Sequence, residues 1–329
     1  MSSTATGPNT HTKDGQVILI NAPAYSVDDA EIIASSNADG IGLLSTDFMY
    51  MDRDGLPDEE EQLATLLRVS RLMGGRPVTV RLLQAPPSMI TALGNAGLPD
   101  DCRGVRLGLA RPDILETQLR AIVRACAEGN FRLLLPMVAD VAEVIKVKDI
   151  IRTIHHDFAA RNIHCSSPDL GVELEVPAAV VMASVLSFEV SFFSVSKKLQ
   201  QHTLMAKEGG YSGNNDLLHH YAPSFLFQIS NLAGAVRKRR KSLAVTAPLA
   251  GLLPAIPLLV AMGVNELVMP PKRMEQARQI IARLTMPRAK LTASKAMSFW
   301  SPDEIQRYAE ESLSRLIPYP APGAANNLL

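Results

Sequence analysis

Eight short runs rich in Val, Ile and Leu punctuate the chain: Val17–Asn21, Gly40–Leu44, Val78–Leu83, Leu133–Val138, Leu170–Val176, Phe192–Ser196, Leu243–Ala247 and Glu266–Met269. They are continuously apolar rather than alternating, the pattern of parallel strands buried on both faces. Between them lie amphipathic segments of helical period: Glu59–Met73, Ile114–Glu128, Ala142–Phe158, Leu226–Arg240 and Met274–Leu284. Strand–helix alternation repeated in this way predicts an α/β fold, a (β/α)8 TIM barrel, with a doubly wound sheet as the alternative. The 329 residues suit one barrel of roughly 250 residues plus insertions. No linker interrupts the middle. One barrel domain is therefore expected over residues 15–317, between a disordered polar tail (1–14) and a flexible, proline-bearing tail (318–329).

Aromatic residues make up only 5% of the chain, so the barrel core must be built from aliphatic side chains and Met. Formal net charge is zero, which argues against nucleic acid or an anionic membrane as the main partner. The basic run Arg237–Lys241 reads as the solvated last turn of a helix, where cations favour the dipole. Three cysteines with no repeating spacing fit free thiols in a reducing compartment, and no zinc spacing exists. The first 14 residues lack the apolar core of a signal peptide. The longest apolar stretch, Leu249–Met262, is broken by Gly251, Pro254 and Pro257 and falls short of the roughly 18 residues of a membrane span. A cytoplasmic protein is expected. His155-His156 and His219-His220 are sequence neighbours that point in different directions on a helix, which disfavours a shared metal.

Active sites of such barrels sit at the C-terminal ends of the strands. The residues to weigh are therefore Ser45, Asp47, Arg81, Gln84, Met137, Glu173, Glu175, Lys197, Lys198, Thr246 and Pro270.

The segment Gly40–Asp54, with Leu56-Pro57 and Glu59–Gln62 after it, resembles the signature of the enzyme I family, the phosphoenolpyruvate–protein phosphotransferases. Further similarity lies at Gln118–Ile122, Leu135–Met137, Gly171–Ala179, Phe192–Ser194, Leu249–Gly251 and Met262–Glu266. The likeness runs from about Gly15 to Leu284 and covers only the family's C-terminal phosphoenolpyruvate-binding barrel. The resemblance implies arginines that clamp phosphate and carboxylate, a glutamate and an aspartate that hold magnesium, and a cysteine that protonates the enolate. It also implies a histidine, on a domain with no counterpart here, that accepts the phosphoryl group.

Matched residue by residue, much of that set is altered. Arg81, Arg103 and Glu175 remain, the last as the match to the metal-holding glutamate. Ser45 stands at an arginine position, and the acidic glycine-rich turn has become Gln84-Ala85-Pro86-Pro87. Lys197 and Lys198 stand near the lost aspartate, Glu208 at a second arginine, and Thr246 at the cysteine. Thr246 has no base beside it in sequence, and a barrel-mouth lysine could in principle form a Schiff base. Arg81 and Arg103 read either as an anion clamp or as structural ion pairs with Asp47 or Glu173, and Lys198 is expected to neutralise Glu175. The site set is thus Arg81, Arg103, Glu175, Lys197 and Lys198 for an anionic ligand such as phosphoenolpyruvate, with Ser45 and Thr246 as degenerate positions and no metal. Two functions follow. One is a degenerate barrel acting as a regulatory or interaction module with a possible protein partner. The alternative is a lyase, aldolase or phosphotransferase acting on phosphoenolpyruvate or a related acid. The family likeness implies a homodimer.

Overall fold

The computed structural model describes residues 10–51, 53–85, 102–206 and 218–317. Strands β2 (Val17–Ala24), β3 (Ile41–Ser45), β4 (Val78–Arg81), β5 (Phe131–Leu135), β6 (Asp169–Leu174), β7 (Phe192–Val195), β8 (Ser242–Val245) and β9 (Glu266–Val268) pair in sequence order, all parallel. Pairing of Leu19–Asn21 with Glu266–Val268 closes the ring, so the fold is the expected (β/α)8 barrel. Each expected run contributes one of these strands.

Helices α1 (Val27–Ala34), α2 (Glu59–Met73), α3 (Val105–Ala110), α4 (Pro112–Glu128) and α5 (Val141–Ala160) cover the first half. Then come α6 (Pro177–Val181), α7 (Ala183–Leu186), α8 (Lys197–Leu204), α9 (Pro223–Lys238), α10 (Ile256–Met262) and α11 (Pro271–Ile281). Local sequence sets their starts. Asp58 with Glu61, and Asp140 with Glu143, form reciprocal capping boxes at α2 and α5, satisfying N–H groups the first turn leaves open. The apolar stretch after Leu249 ends in α10, every residue of which is buried. Two further helices, α12 (Met286–Ala296) and α13 (Pro302–Ser314), pack in this region, α12 against α10. The basic run begins in the last turn of α9, as expected.

Most strand ends shift by one to three residues from the sequence reading, and two differences have a clear physical cause. The tail expected to extend to residue 14 is ordered from Thr10: β1 (Thr10–His11) pairs antiparallel with β2. Arg278 of α11 ties it down by bonding Thr10 Oγ1 and pairing with Asp39 at 3.1 Å, while Asp39 accepts the Ile20 N–H at 2.7 Å. Strand β2 also runs on through Pro23 to Ala24. Proline is tolerated there because the register shifts at Ala22/Pro23, a bulge where no ladder N–H is required.

The barrel interior is layered, as side chains of alternate residues point inward. Near the N-terminal ends of the strands, Arg132 bonds Glu266 at 2.9 Å and Thr79 at 2.6 Å, and Asn21 donates to Glu266 at 2.7 Å. The Arg132 guanidinium also lies 4.6 Å from the Phe192 ring centroid. Next come Leu43, Leu134 and Phe192. Gly171 makes room for that ring: a Cβ there would fall 2.3 Å from it. Above this apolar layer sits the polar mouth.

Glu266 is 2% exposed and is the main counter-charge of Arg132. Glu266→Ala is expected to cost about 3 kcal/mol, the low end for breaking a buried pair, because it leaves the half-buried Arg132 guanidinium without its carboxylate, read as a lowered midpoint in urea unfolding.

Candidate functional site

At the C-terminal ends of β3, β4, β6 and β7, polar side chains converge on two buried carboxylates. Glu175, just beyond β6, has no exposed surface. Both its carboxylate oxygens accept from Gln84 Nε2 at 2.7 Å, and Oε2 also accepts the Met137 N–H at 2.9 Å. Lys198 Nζ stands 3.4 Å from Oε1, the ion pair the sequence reading anticipates. The Glu175 backbone carbonyl is engaged as well, 2.8 Å from Nδ1 of His202, one helical turn past Lys198 on α8. The chain is strained where it builds this nest: Met137 has φ 61 and Ala85, beside Gln84, has φ 49. Left-handed backbone at non-glycine residues costs about 1–3 kcal/mol each and collects at functional sites.

Glu173 lies deeper, on the inner wall of β6. Arg81 at the end of β4 faces it at 3.5 Å and pairs with Asp47 at 2.8 Å. The Arg81 guanidinium also donates to Ser45 Oγ at 2.8 Å, and Ser45 donates to Asp47 at 2.9 Å. Asp47 further accepts the Gln84 N–H at 2.8 Å. Burial works against the charge of Arg81, but Glu173, Asp47 and Glu175 outweigh it and hold the guanidinium more firmly protonated than usual. Burial, reinforced by the negative charge of Glu175, pushes the Glu173 carboxyl up to about 7; Arg81, Lys198 and a hydrogen bond with Ser196 pull the other way.

A cavity of about 370 Å³ opens above this cluster, lined by Tyr25, Ser45, Asp47, Gln84, Arg103 and Lys198 among others. Of the residues put forward from sequence, Arg81, Arg103, Glu175, Ser45 and Lys198 thus gather at one place. Lys197, the first residue of α8, neighbours the cluster without lining the cavity. Thr246, just beyond β8, has its hydroxyl 2.7 Å from Ser194 Oγ and does not line the cavity. Pro86, Pro87 and Glu208 lie outside the described residues. Of the histidine pairs, His155 contacts Cys165 and Ser167, and His219 faces Asp303 at 3.4 Å.

Tyr25 and His202 were missed. Tyr25 follows β2 directly, but the expected run stopped at Asn21. The signal for His202 was its spacing of four from Lys198 on a helix.

The model of the PEP-utilising enzyme PEP-binding domain matches residues 3–286. The chain belongs to this family. Phosphoenolpyruvate-protein phosphotransferase of Listeria monocytogenes is 31% identical over 310 residues, covering 92% of this chain and 54% of that protein. The Geobacillus stearothermophilus protein of the same name is 31% identical over 318 residues, with 93% and 54% covered. The chain thus spans about half the length of these relatives. Among solved structures, a citrate lyase from Burkholderia xenovorans superposes with a TM-score of 0.50 at 13% identity, covering 90% of this chain and 91% of that one. A Haloferax volcanii malate synthase does so with 0.52 at 9%, covering 79% and 68%. These two share the barrel fold.

The raised carboxyl of Glu173 links stability to pH. The folded chain holds this proton more tightly than the unfolded chain. The resulting stability is fully present below the ordinary glutamate range, around 4.5, and is lost as pH rises through about 7. Melting temperature is expected to fall between about pH 5 and about pH 8. Glu173→Gln should flatten that slope and raise the melting temperature at the alkaline end, checked by thermal denaturation across the series.

Proposed function

We propose that the barrel mouth binds phosphoenolpyruvate or a related small phosphorylated or 2-oxo acid and acts on it as an enzyme, without a carboxylate-held magnesium. The cavity carries the reading. Arg103 and Lys198 line it, with Arg81 beneath, and such groups match phosphate and carboxylate oxygens. Its volume suits an acid of a few carbons. The relatives named above are phosphotransferases that use phosphoenolpyruvate by name, which favours the enzyme reading, a lyase, aldolase or phosphotransferase, over the module. The regulatory reading draws its support from Thr246, which stands where the family has a cysteine and is hydrogen-bonded to Ser194.

The family's magnesium does not fit the donors present. Magnesium requires near-octahedral oxygen ligands. Both oxygens of Glu175 already accept hydrogen bonds, and the Lys198 ammonium repels a second cation at the same point. The other carboxylate of β6, Glu173, faces Arg81. The chemistry proposed for this mouth uses no metal.

Calorimetry with phosphoenolpyruvate should give the same affinity with magnesium as with a chelator. Arg103→Ala should weaken binding roughly tenfold to a hundredfold, the ~1.5–3 kcal/mol of a hydrogen bond to a charged group. Magnesium binding that disappears in Glu175→Ala would overturn the metal-free reading. Consumption of a bound acid by the full chain distinguishes the enzyme from a module that only binds.

The proposal includes a cytoplasmic homodimer, the arrangement the family likeness implies and the commonest closed assembly. Light scattering at micromolar protein is expected to report the mass of two chains; the mass of one would refute it.

A further inference from the structure

We propose that Lys198 is a nucleophile that forms an imine with the 2-oxo group of a small 2-oxo acid bound at the barrel mouth. The proposal rests on the reading of that mouth as an acid-binding site and deepens it by naming the substrate class and the covalent step.

Lys198 differs from Arg81 in how it is held. Its backbone is held in the first turn of α8, which Ser196 caps, and His202 ties the next turn to the Glu175 carbonyl at 2.8 Å. Its side chain is loosely held. The 3.4 Å contact to Glu175 is the longest that carboxylate makes among the described contacts, against 2.7–2.9 Å from Gln84 and Met137. Those shorter bonds satisfy both oxygens of Glu175, so Nζ can leave without orphaning the carboxylate. Arg81, in contrast, is pinned by Ser45 and Asp47 at 2.8 Å each. The Lys198 side chain is 28% exposed, on the wall of the cavity. Arg103 lines the same cavity and is a guanidinium suited to the carboxylate of a 2-oxo acid. Lys197, adjacent in sequence, does not line it.

The step balances without a metal or a redox partner. The neutral amine of Lys198 attacks C2 of the acid. As the C–N bond forms, the carbonyl π pair moves to oxygen, which takes up a proton, giving a carbinolamine. The nitrogen sheds its proton, with Glu175 Oε1 in reach to receive it. The nitrogen lone pair then forms the C=N bond as the C–O bond breaks, and the hydroxyl takes back the proton held by Glu175 and leaves as water, so amine, ketone and the one proton taken up at oxygen become protonated imine plus water. The protonated imine draws electrons from the bonds at C3, the use lyases and aldolases make of such lysines. Phosphoenolpyruvate has no free carbonyl and would occupy the cavity without reacting.

Borohydride trapping tests this. The full chain is incubated with pyruvate and sodium borohydride, and the product is examined by intact mass and peptide mapping. One reduced pyruvyl adduct per chain, on Lys198, is expected. Phosphoenolpyruvate should protect against it, and Lys198→Arg, which keeps the cation, should abolish it. An adduct on Lys197, one scattered over surface lysines, or one undiminished in Lys198→Arg overturns the proposal. Absence of any adduct while calorimetry shows pyruvate bound also overturns it, yet leaves the acid-binding reading standing. Failure of both pyruvate and phosphoenolpyruvate to bind overturns both. Should the variant not fold, the wild-type peptide map still decides.

Discussion

The burial of Glu175 sets the terms for everything at the barrel mouth. A carboxylate removed from water costs several kcal/mol unless hydrogen bonds and counter-charge offset it. Here the offset comes from three separate strand ends: Gln84 after β4, the Met137 N–H after β5, and Lys198 after β7. Each donor in turn fixes its own loop. Gln84 also gives its backbone N–H to Asp47, which couples β3 to the cluster and orients Arg81. The strain is tolerated because Ala85 follows one donor this carboxylate needs, Gln84, and Met137 supplies another through its own N–H.

The fold was legible because its signal is repeated and local. Eight unbroken apolar runs have few other homes than a parallel sheet with both faces covered, and strand β3 fell within one residue of the expected run. Helix α2 coincided with its expected span because its capping box is written in consecutive residues. What sequence could not show was tertiary override of local rules. The expected first run stops at Asn21, yet the strand continues through Pro23 by way of a bulge. Thr10 reads as tail, yet Arg278, 268 residues away, anchors it.

The site was half legible for a similar reason. Motif positions name which residues face the mouth, so Arg81, Arg103, Glu175 and Lys198 could be put forward together. The Lys198–Glu175 contact followed from charge alone. The role of Gln84 did not: an uncharged amide in a substituted loop gives no sign that it will bridge both oxygens of a carboxylate 91 residues on. Nor did Ser45, at an arginine position, show that its hydroxyl would join Arg81 to Asp47. Hydrogen-bond partners depend on sub-ångström placement, which residue type does not encode.

Replacing a divalent ion by an ammonium changes more than the charge. Magnesium accepts several oxygens at once and compensates the charge spread over a phosphoryl group in transfer. An ammonium carries half that charge, donates along three directions, and offers no vacant coordination position. A mouth built from Lys198, Gln84 and Arg81 is therefore poorly equipped to steady a migrating phosphoryl group, though well able to hold an acid by its anionic end. What a lysine adds in exchange is covalency, which a metal held by carboxylates does not supply. On this reading the altered residues are mutually consistent. Once Lys198 stands beside Glu175, a second carboxylate has no metal to serve, and chemistry on the carbonyl carbon asks for no help from the cysteine position that Thr246 now fills.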